Sequence, residues 1–319
     1  SDRRMKTPWE LLKESKTKIK TTWRIAFVSA LVLGLLIHLP VMLSDIPNHD
    51  GLSSMYFDQN MITSGRWFLT VACGFSSYFT IPWVIGLIGL IWLALTAAVL
   101  TEVLELTDPV TITVVSGLLV SFPALASTFA YVFTMDGYML ALFLAVLAVL
   151  FTAKYPRGYL TGAVCLAFSM GIYQAYLPFT ILLCVYKILL YFMEEKGWEK
   201  KAKYVCRYLG MGIAGGVLYY VILQILLKLQ GKVLDTYQGI NSMEQMGSGM
   251  GILATIKGMY VDFLAFTVHG NVLVNNIFSL AACIILVATV VFLVIRSMIW
   301  RKWWKNPAFF VIMILLGIS

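Results

Sequence analysis

An all-α bundle of about nine membrane-spanning helices is the fold this sequence predicts, and three observations lead to it. Apolar residues make up 60% of the 319 residues, while only 13% are charged, about half the ~25% usual in a soluble domain. The apolar residues fall into repeated runs near the ~20 residues that cross ~30 Å of hydrocarbon. Lys and Arg gather between alternate runs, as topology in a membrane requires. A water-soluble enzyme, a disulfide scaffold and a disordered binder are all excluded.

Residues 1–22 form a basic amphipathic segment, in which Trp9, Leu11 and Leu12 alternate with Lys and Arg. It either anchors the chain by charge alone or lies on the inner membrane surface against anionic lipid. The first apolar run follows this basic stretch as in a signal peptide, but it is too long and no small-residue cleavage site follows, so it reads as a retained span. The catalytic bundle occupies 23–306, with spans expected at 23–43, 81–103, 109–131, 137–153, 158–174, 176–193, 208–228 and 272–296. The apolar stretch 67–79 is short and rich in Ser, Gly and Thr, so it is either re-entrant or an extension of the second span. Pro40, Pro123 and Pro178 sit near span ends, where a kink or stop is tolerable. Residues 307–319 are too short to cross and are expected to begin a truncated further span.

Orientation follows from the charges. With the N-terminus inside, twenty of the 24 Lys and Arg residues face the cytoplasm, leaving Arg66, Lys228, Lys232 and Lys257 outside. The two faces then carry +11 and −3, which accounts for the net +8. The basic balance is topological, and nucleic acid is not an expected partner. Glu194 to Lys203 read as a solvated inner loop, and Glu102, Glu105 and Asp108 as an acidic inner turn. Five scattered cysteines without ligand spacing indicate neither a disulfide framework nor a zinc site.

External loops are expected at about 44–66, 131–137 and 229–271, and the few external charges collect near helix mouths. The first loop carries Asp45, His49, Asp50, Asp58 and Arg66, with Leu52, Met55, Tyr56 and Met61/Ile62 at near-helical spacing. Asp50 is placed to cap that stretch, and a cap is its structural role. Asp136 stands in the short turn Phe133–Gly137, and the third loop holds Lys232, Asp235, Glu244, Lys257, Asp262 and His269. Carboxylates beside cations at a lipid boundary suit a site where a phosphate meets a hydroxyl. Met246–Gly251 lacks the strand and helix context of a phosphate loop and reads as a hinge. His38, within the first span, is expected to pair inside the bundle.

An acid, an amphipathic stretch and Gly65-Arg66-Trp67 in the first loop, then Asp136, then Gly171-Ile-Tyr-Gln-Ala175, together resemble the polyprenyl-phosphate-dependent glucosyltransferases. That family is known from phage-encoded O-antigen modification and belongs to the GT-C class of membrane glycosyltransferases. The resemblance runs from about Arg24 through the third external loop. Many relatives carry adjacent acids early in the first loop, where this chain has His49-Asp50, so Asp45 and Asp58 both stay open as the second carboxylate.

The resemblance implies a GT-C-like bundle in the bacterial cytoplasmic membrane. It implies transfer of a hexose, glucose above all, from polyprenyl phosphate to a cell-envelope glycan on the outer face, with inversion. On that reading Asp50 is the general base and Asp136 a second catalytic acid. Arg66 holds the departing phosphate, with Lys232, Lys257 or His269 as alternatives. His49, Tyr173 and Gln174 contact the donor. Each has a plainer role: snorkelling for Arg66, a helix cap for Asp136, packing and an interhelical bond for Tyr173 and Gln174, and an interfacial position for His269. No cofactor is assigned, although Asp50 with Asp45 or Asp136 offers oxygen ligands to a divalent cation. A lipid-linked oligosaccharide polymerase or ligase calls for more external arginines. A transporter or flippase calls for charges deep within spans and for internal repeats.

Overall fold

The computed structural model describes residues 6–44, 61–76, 78–79, 81–194, 197–235, 251–267 and 276–319. Among these the regular structure is helical throughout, apart from one isolated bridge between Met61 and Arg66. The helices are α1 (Pro8–Lys18), α2 (Thr21–Leu43), the single turn α3 (Leu69–Ala72), α4 (Pro82–Val103), α5 (Pro109–Ser121), α6 (Pro123–Phe129) and α7 (Met135–Lys154). They continue as α8 (Gly158–Ile172), α9 (Leu177–Glu194), α10 (Trp198–Gln230), α11 (Ile252–Thr267), α12 (Ile277–Trp300) and α13 (Pro307–Ile318). Six of them, α2, α4, α7, α9, α10 and α12, are long and apolar enough to cross a membrane. The protein is an all-α polytopic membrane protein.

Helices α4 and α7 form the interior, with Leu90, Leu93, Ala94, Met139, Ala145 and Val149 fully buried. Helix α2 packs on α4 at Gly34, where a Cβ would fall 2.7 Å from the Leu90 side chain, so a small residue lets the helices approach. Helix α12 buries no residue and so presents its apolar surface all round. At the N-terminus, α1 is closed by a reciprocal cap between Thr7 and Glu10 and leaves Trp9, Leu11 and Leu12 exposed.

Four expectations need correcting. The span expected at 109–131 is two helices, α5 and α6, parted at Phe122. Pro123 lacks the N–H that would continue the ladder, and the residue before a proline is pushed into extended conformation, as Phe122 is at φ −60°, ψ 133°. His38 answers this break: its Nε2–H donates to the Val120 carbonyl at 2.7 Å, and its ring stacks on Phe129 at 3.9 Å. The span expected at 208–228 begins at Trp198, because the Lys- and Glu-rich stretch before it is helix-forming even though it is polar. Its Lys203 and Glu199 pair at 2.8 Å one turn apart, where a solvated loop was expected. The eighth span lies further along, at Ile277–Trp300, started by an Asn276 side-chain cap on Ser279 N–H at 2.8 Å.

Helix directions alternate, so the charged residues collect at one end of the bundle. There Glu102 meets Lys20 at 2.6 Å, Lys154 at 3.5 Å and the Trp23 indole N–H at 2.7 Å. Lys187 reaches Glu105 at 2.9 Å, and Arg207 donates to the Thr152 and Tyr155 carbonyls. The opposite end carries the remaining features of interest.

Candidate active site

At that opposite end, residues 61–76 lie against the ends of α7, α8 and α10. Since α4 starts separately at Pro82, 67–79 is no extension of the second span, which leaves the re-entrant alternative. Trp67, Leu69, Cys73 and Ser76 are buried there. A one-turn 3-10 helix, Ile62–Ser64, ends on Gly65 at φ 82°, a left-handed position that suits glycine. That turn folds Arg66 back onto Met61, whose carbonyl accepts the Arg66 N–H at 3.0 Å.

The re-entrant segment joins the two other short motifs. Phe68 N–H donates to the Gly171 carbonyl at 2.7 Å. The Trp67 indole lies on Gly171 so closely that a Cβ there would fall 2.6 Å from the ring. Gln174 Nε2 donates to the Ser64 carbonyl at 3.4 Å and to Tyr219 Oη at 3.1 Å, and Tyr219 in turn donates to the Gly65 carbonyl at 2.9 Å. Beyond α10, Asp235 N–H donates to the Thr63 carbonyl at 2.9 Å, which brings the start of the third loop to the same turn.

Asp136 stands in the first turn of α7 and is 2% exposed. Its Oδ1 accepts from Ser76 Oγ at 2.7 Å and from Gly137 N–H at 3.0 Å, and its Oδ2 accepts from Ser76 N–H at 3.3 Å. The carboxylate therefore pins the far limb of the re-entrant segment to a helix N-terminus, where the dipole favours negative charge. Gly137 beside it faces Cys73 Sγ with no room for a Cβ.

Arg66 occupies the centre. Its guanidinium lies over the Tyr173 ring at 4.9 Å and donates to Tyr138 Oη at 3.3 Å, and Tyr138 stacks on Tyr173 at 4.4 Å. Among the described residues Arg66 has no carboxylate partner, and its Nε–H is buried without an acceptor. An unmet buried donor costs about 1–3 kcal/mol, and on a cation it invites an anionic acceptor.

Of the residues expected at the site, Arg66, Tyr173, Gln174 and Asp136 are brought to one end and linked through residues 61–76. Gln174 holds the turn that carries Arg66. Lys232 is exposed just beyond α10, three residues before the Asp235 contact. Lys257 is exposed on α11, a helix tied to α13 by the Tyr260 hydroxyl on the Gly317 carbonyl at 2.6 Å. Asp45, His49, Asp50, Asp58 and His269 lie outside the described residues. Among the described residues no three His, Cys, Asp or Glu side chains gather closely enough to hold a cation. Sequence reasoning missed Ser76, Tyr138 and Tyr219.

A family model described as glucosyl transferase GtrII matches residues 39–319, which takes in the whole re-entrant segment and both motifs it joins. The chain belongs to the GtrII glucosyl transferase family. Comparison with curated proteins and with solved structures returns no match. Membership makes the chain a membrane glucosyltransferase, acting between a sugar donor and a glycan acceptor.

Proposed function

We propose that this GtrII-family protein transfers glucose from a polyprenyl-phosphate donor to a cell-envelope glycan at the outer face of the bacterial cytoplasmic membrane, inverting the anomeric carbon. One observation carries the donor class: Arg66, set over the Tyr173 ring, has no acidic partner among the described residues and keeps a buried N–H without an acceptor. A lipid phosphate supplies both the charge and the acceptor. The site end is the outer one because the opposite end holds the Lys-rich loops. A GT-C-type mechanism follows the same order of events.

The acceptor hydroxyl oxygen attacks the anomeric carbon as its bond to the phosphate oxygen breaks. The proton passes to the Asp50 carboxylate, a positioned base contributing ~10²–10⁴-fold. Arg66 stabilises the charge that grows on the departing phosphate. Lys232, carried near the Ile62–Ser64 turn, adds positive potential, and His49 contacts the donor. Tyr173 supports Arg66. Lys257 and His269 stay alternatives to Arg66 for the departing phosphate. The family match favours this reading over a polymerase, ligase, transporter or flippase.

The test is transfer of labelled sugar from polyprenyl-phosphate glucose in proteoliposomes, comparing wild type with Asp50→Asn. Loss of at least ~10²-fold in a folded variant is expected, together with an inverted product anomer by NMR. Equal turnover would make Asp50 a cap and move the base to Asp136 or Asp45. Absence of transfer by the wild type from polyprenyl-phosphate sugars would remove the donor assignment.

A further inference from the structure

Helix α1 buries none of its eleven residues, and Trp9, Leu11 and Leu12 are 74%, 50% and 62% exposed. A helix of this length without a packing partner is marginal in water, because nucleation costs more than a few bonds return. The Thr7–Glu10 cap starts it, but a cap does not cover apolar side chains. At about 100° per residue, Leu11, Ser15, Pro8 and Leu12 share about 100° of the circumference, with Trp9 further round beyond Leu12. Ser15 Oγ donates to the Leu11 carbonyl at 2.8 Å, so its hydroxyl is satisfied within the helix. Lys18 and Lys16 stand at the two edges of this stripe. The acids lie away from it. Glu10 is engaged in the cap, and Glu14 is held by Lys6 at 2.5 Å and Lys18 at 3.5 Å.

The helix is also fixed in place. Arg24, in the first turn of α2, donates to the Lys16 carbonyl, and Lys20 between the two helices meets Glu102 at 2.6 Å. The Trp23 indole N–H shares that carboxylate at 2.7 Å. These contacts lie where α2 enters the bundle at its charged end, so α1 is held at the level of the membrane surface there. From Lys6 to Arg24 the chain carries six basic residues against two acidic ones. An apolar stripe edged by lysines matches a surface that is hydrocarbon below and anionic above, since lysine stems lie along the hydrocarbon while their amines reach phosphates. We propose that α1 docks on the leaflet at this end of the bundle by binding anionic phospholipid of the phosphatidylglycerol kind. Leu11 and Leu12 enter the acyl region, and Lys16 and Lys18 meet the phosphates. The docking is independent of the sugar-donor reading, because it lies at the opposite end from Arg66.

The test is hydrogen–deuterium exchange of the α1 amides in the whole protein, held in nanodiscs of phosphatidylcholine alone or mixed with equimolar phosphatidylglycerol. A basic residue at an anionic surface is worth about a factor of five, so the anionic lipid should slow exchange at least about tenfold. The slowing should largely vanish in 1 M salt, where charges reach only about 3 Å. Leu11→Gln with Leu12→Gln keeps helix propensity while removing the stripe, and Lys16→Gln with Lys18→Gln removes its edges. Each pair should abolish most of the slowing, whereas Thr17→Ala, on the polar side, should leave it as in wild type. Amides of α4 and α7 should exchange alike in every variant, which reports an intact bundle. Equal exchange of wild-type α1 in the two nanodiscs would overturn the proposal, as would slowing that survives loss of both lysines. Protection that appears in native membrane vesicles but not in phosphatidylglycerol nanodiscs would also overturn it, and would assign the stripe to a protein partner.

Discussion

The guanidinium of Arg66 rests on the ring of Tyr173 at 4.9 Å, and the same backbone stretch that sets Arg66 there is tied to the Tyr173 strand of chain by the Phe68–Gly171 hydrogen bond. Two motifs distant in sequence are thereby held in one rigid arrangement. A planar cation on an aromatic face loses little freedom when it receives a phosphate, because its orientation is already chosen.

That geometry separates charge from shape. Arg66→Lys keeps the charge but loses the planar guanidinium over Tyr173 and the forked donors, so kcat should fall about tenfold or more. Arg66→Ala should lose ~10²–10³-fold, the range for removing a donor to developing charge. Steady-state transfer assays with both variants check this. Equal activity of the lysine variant and wild type would show that a point charge is enough.

Gly171 has no spare volume beneath Trp67, whereas Gly216 on α10 faces nothing within 4 Å. Gly171→Ala should therefore destabilise by about 1–3 kcal/mol through overpacking. Gly216→Ala, in a helix interior, should be neutral or stabilising by up to about 1 kcal/mol. Thermal unfolding in detergent distinguishes the two, and the Gly171 variant should also lose transfer activity, because Phe68 and Arg66 move with Trp67.

The spans were legible where length and apolarity alone decide the matter: 23–43 and 81–103 differ from α2 and α4 by a residue or two at their ends. Hydropathy reports the preference for lipid rather than helicity, which is why the start of α10 at Trp198 was hidden behind its lysines. Pro123 was visible, but that the chain would break there, with His38 taking the freed Val120 carbonyl, depends on a neighbour 82 residues away. At the site, Arg66 and Tyr173 stood out by residue type in a chain poor in external charge. Ser76, Tyr138 and Tyr219 carry no such signal, since a lone hydroxyl in an apolar helix looks the same whether it packs or bonds. Gln174, expected at the donor, makes two bonds that fix the turn before Arg66.

At the other end, Asp108 caps α5 by accepting from Thr111 N–H at 2.8 Å and Thr111 Oγ1 at 2.9 Å. The Thr111 hydrogen bonds, backbone first, hold its carboxyl below the usual 3.8. A depressed folded value means the stabilisation is complete above the unfolded pKa and is lost as pH falls through the folded one. Asp108→Ala should thus lower the melting temperature at pH 7, and the gap to wild type should shrink as pH drops below about 4. A gap constant across that range would mean that the carboxylate's charge contributes nothing to the cap.

Asp136 is the acid whose role the geometry divides most sharply. Both of its oxygens are engaged by Ser76 and Gly137, and it is 2% exposed, so it is placed to hold the 73–76 turn rather than to meet a hydroxyl. If it positions that turn, Asp136→Asn and Ser76→Ala should lower kcat by similar factors. The double variant should then be no worse than the poorer single one, because both changes break one interaction. The pH profile of kcat should keep its wild-type acidic limb, which the proposed mechanism assigns to Asp50. If Asp136 itself takes the proton, Asp136→Asn alone should lose ~10²-fold or more and flatten that limb, while Ser76→Ala leaves it in place. Rates across pH for the three variants, with melting temperatures measured alongside, decide between a positioning group and a base.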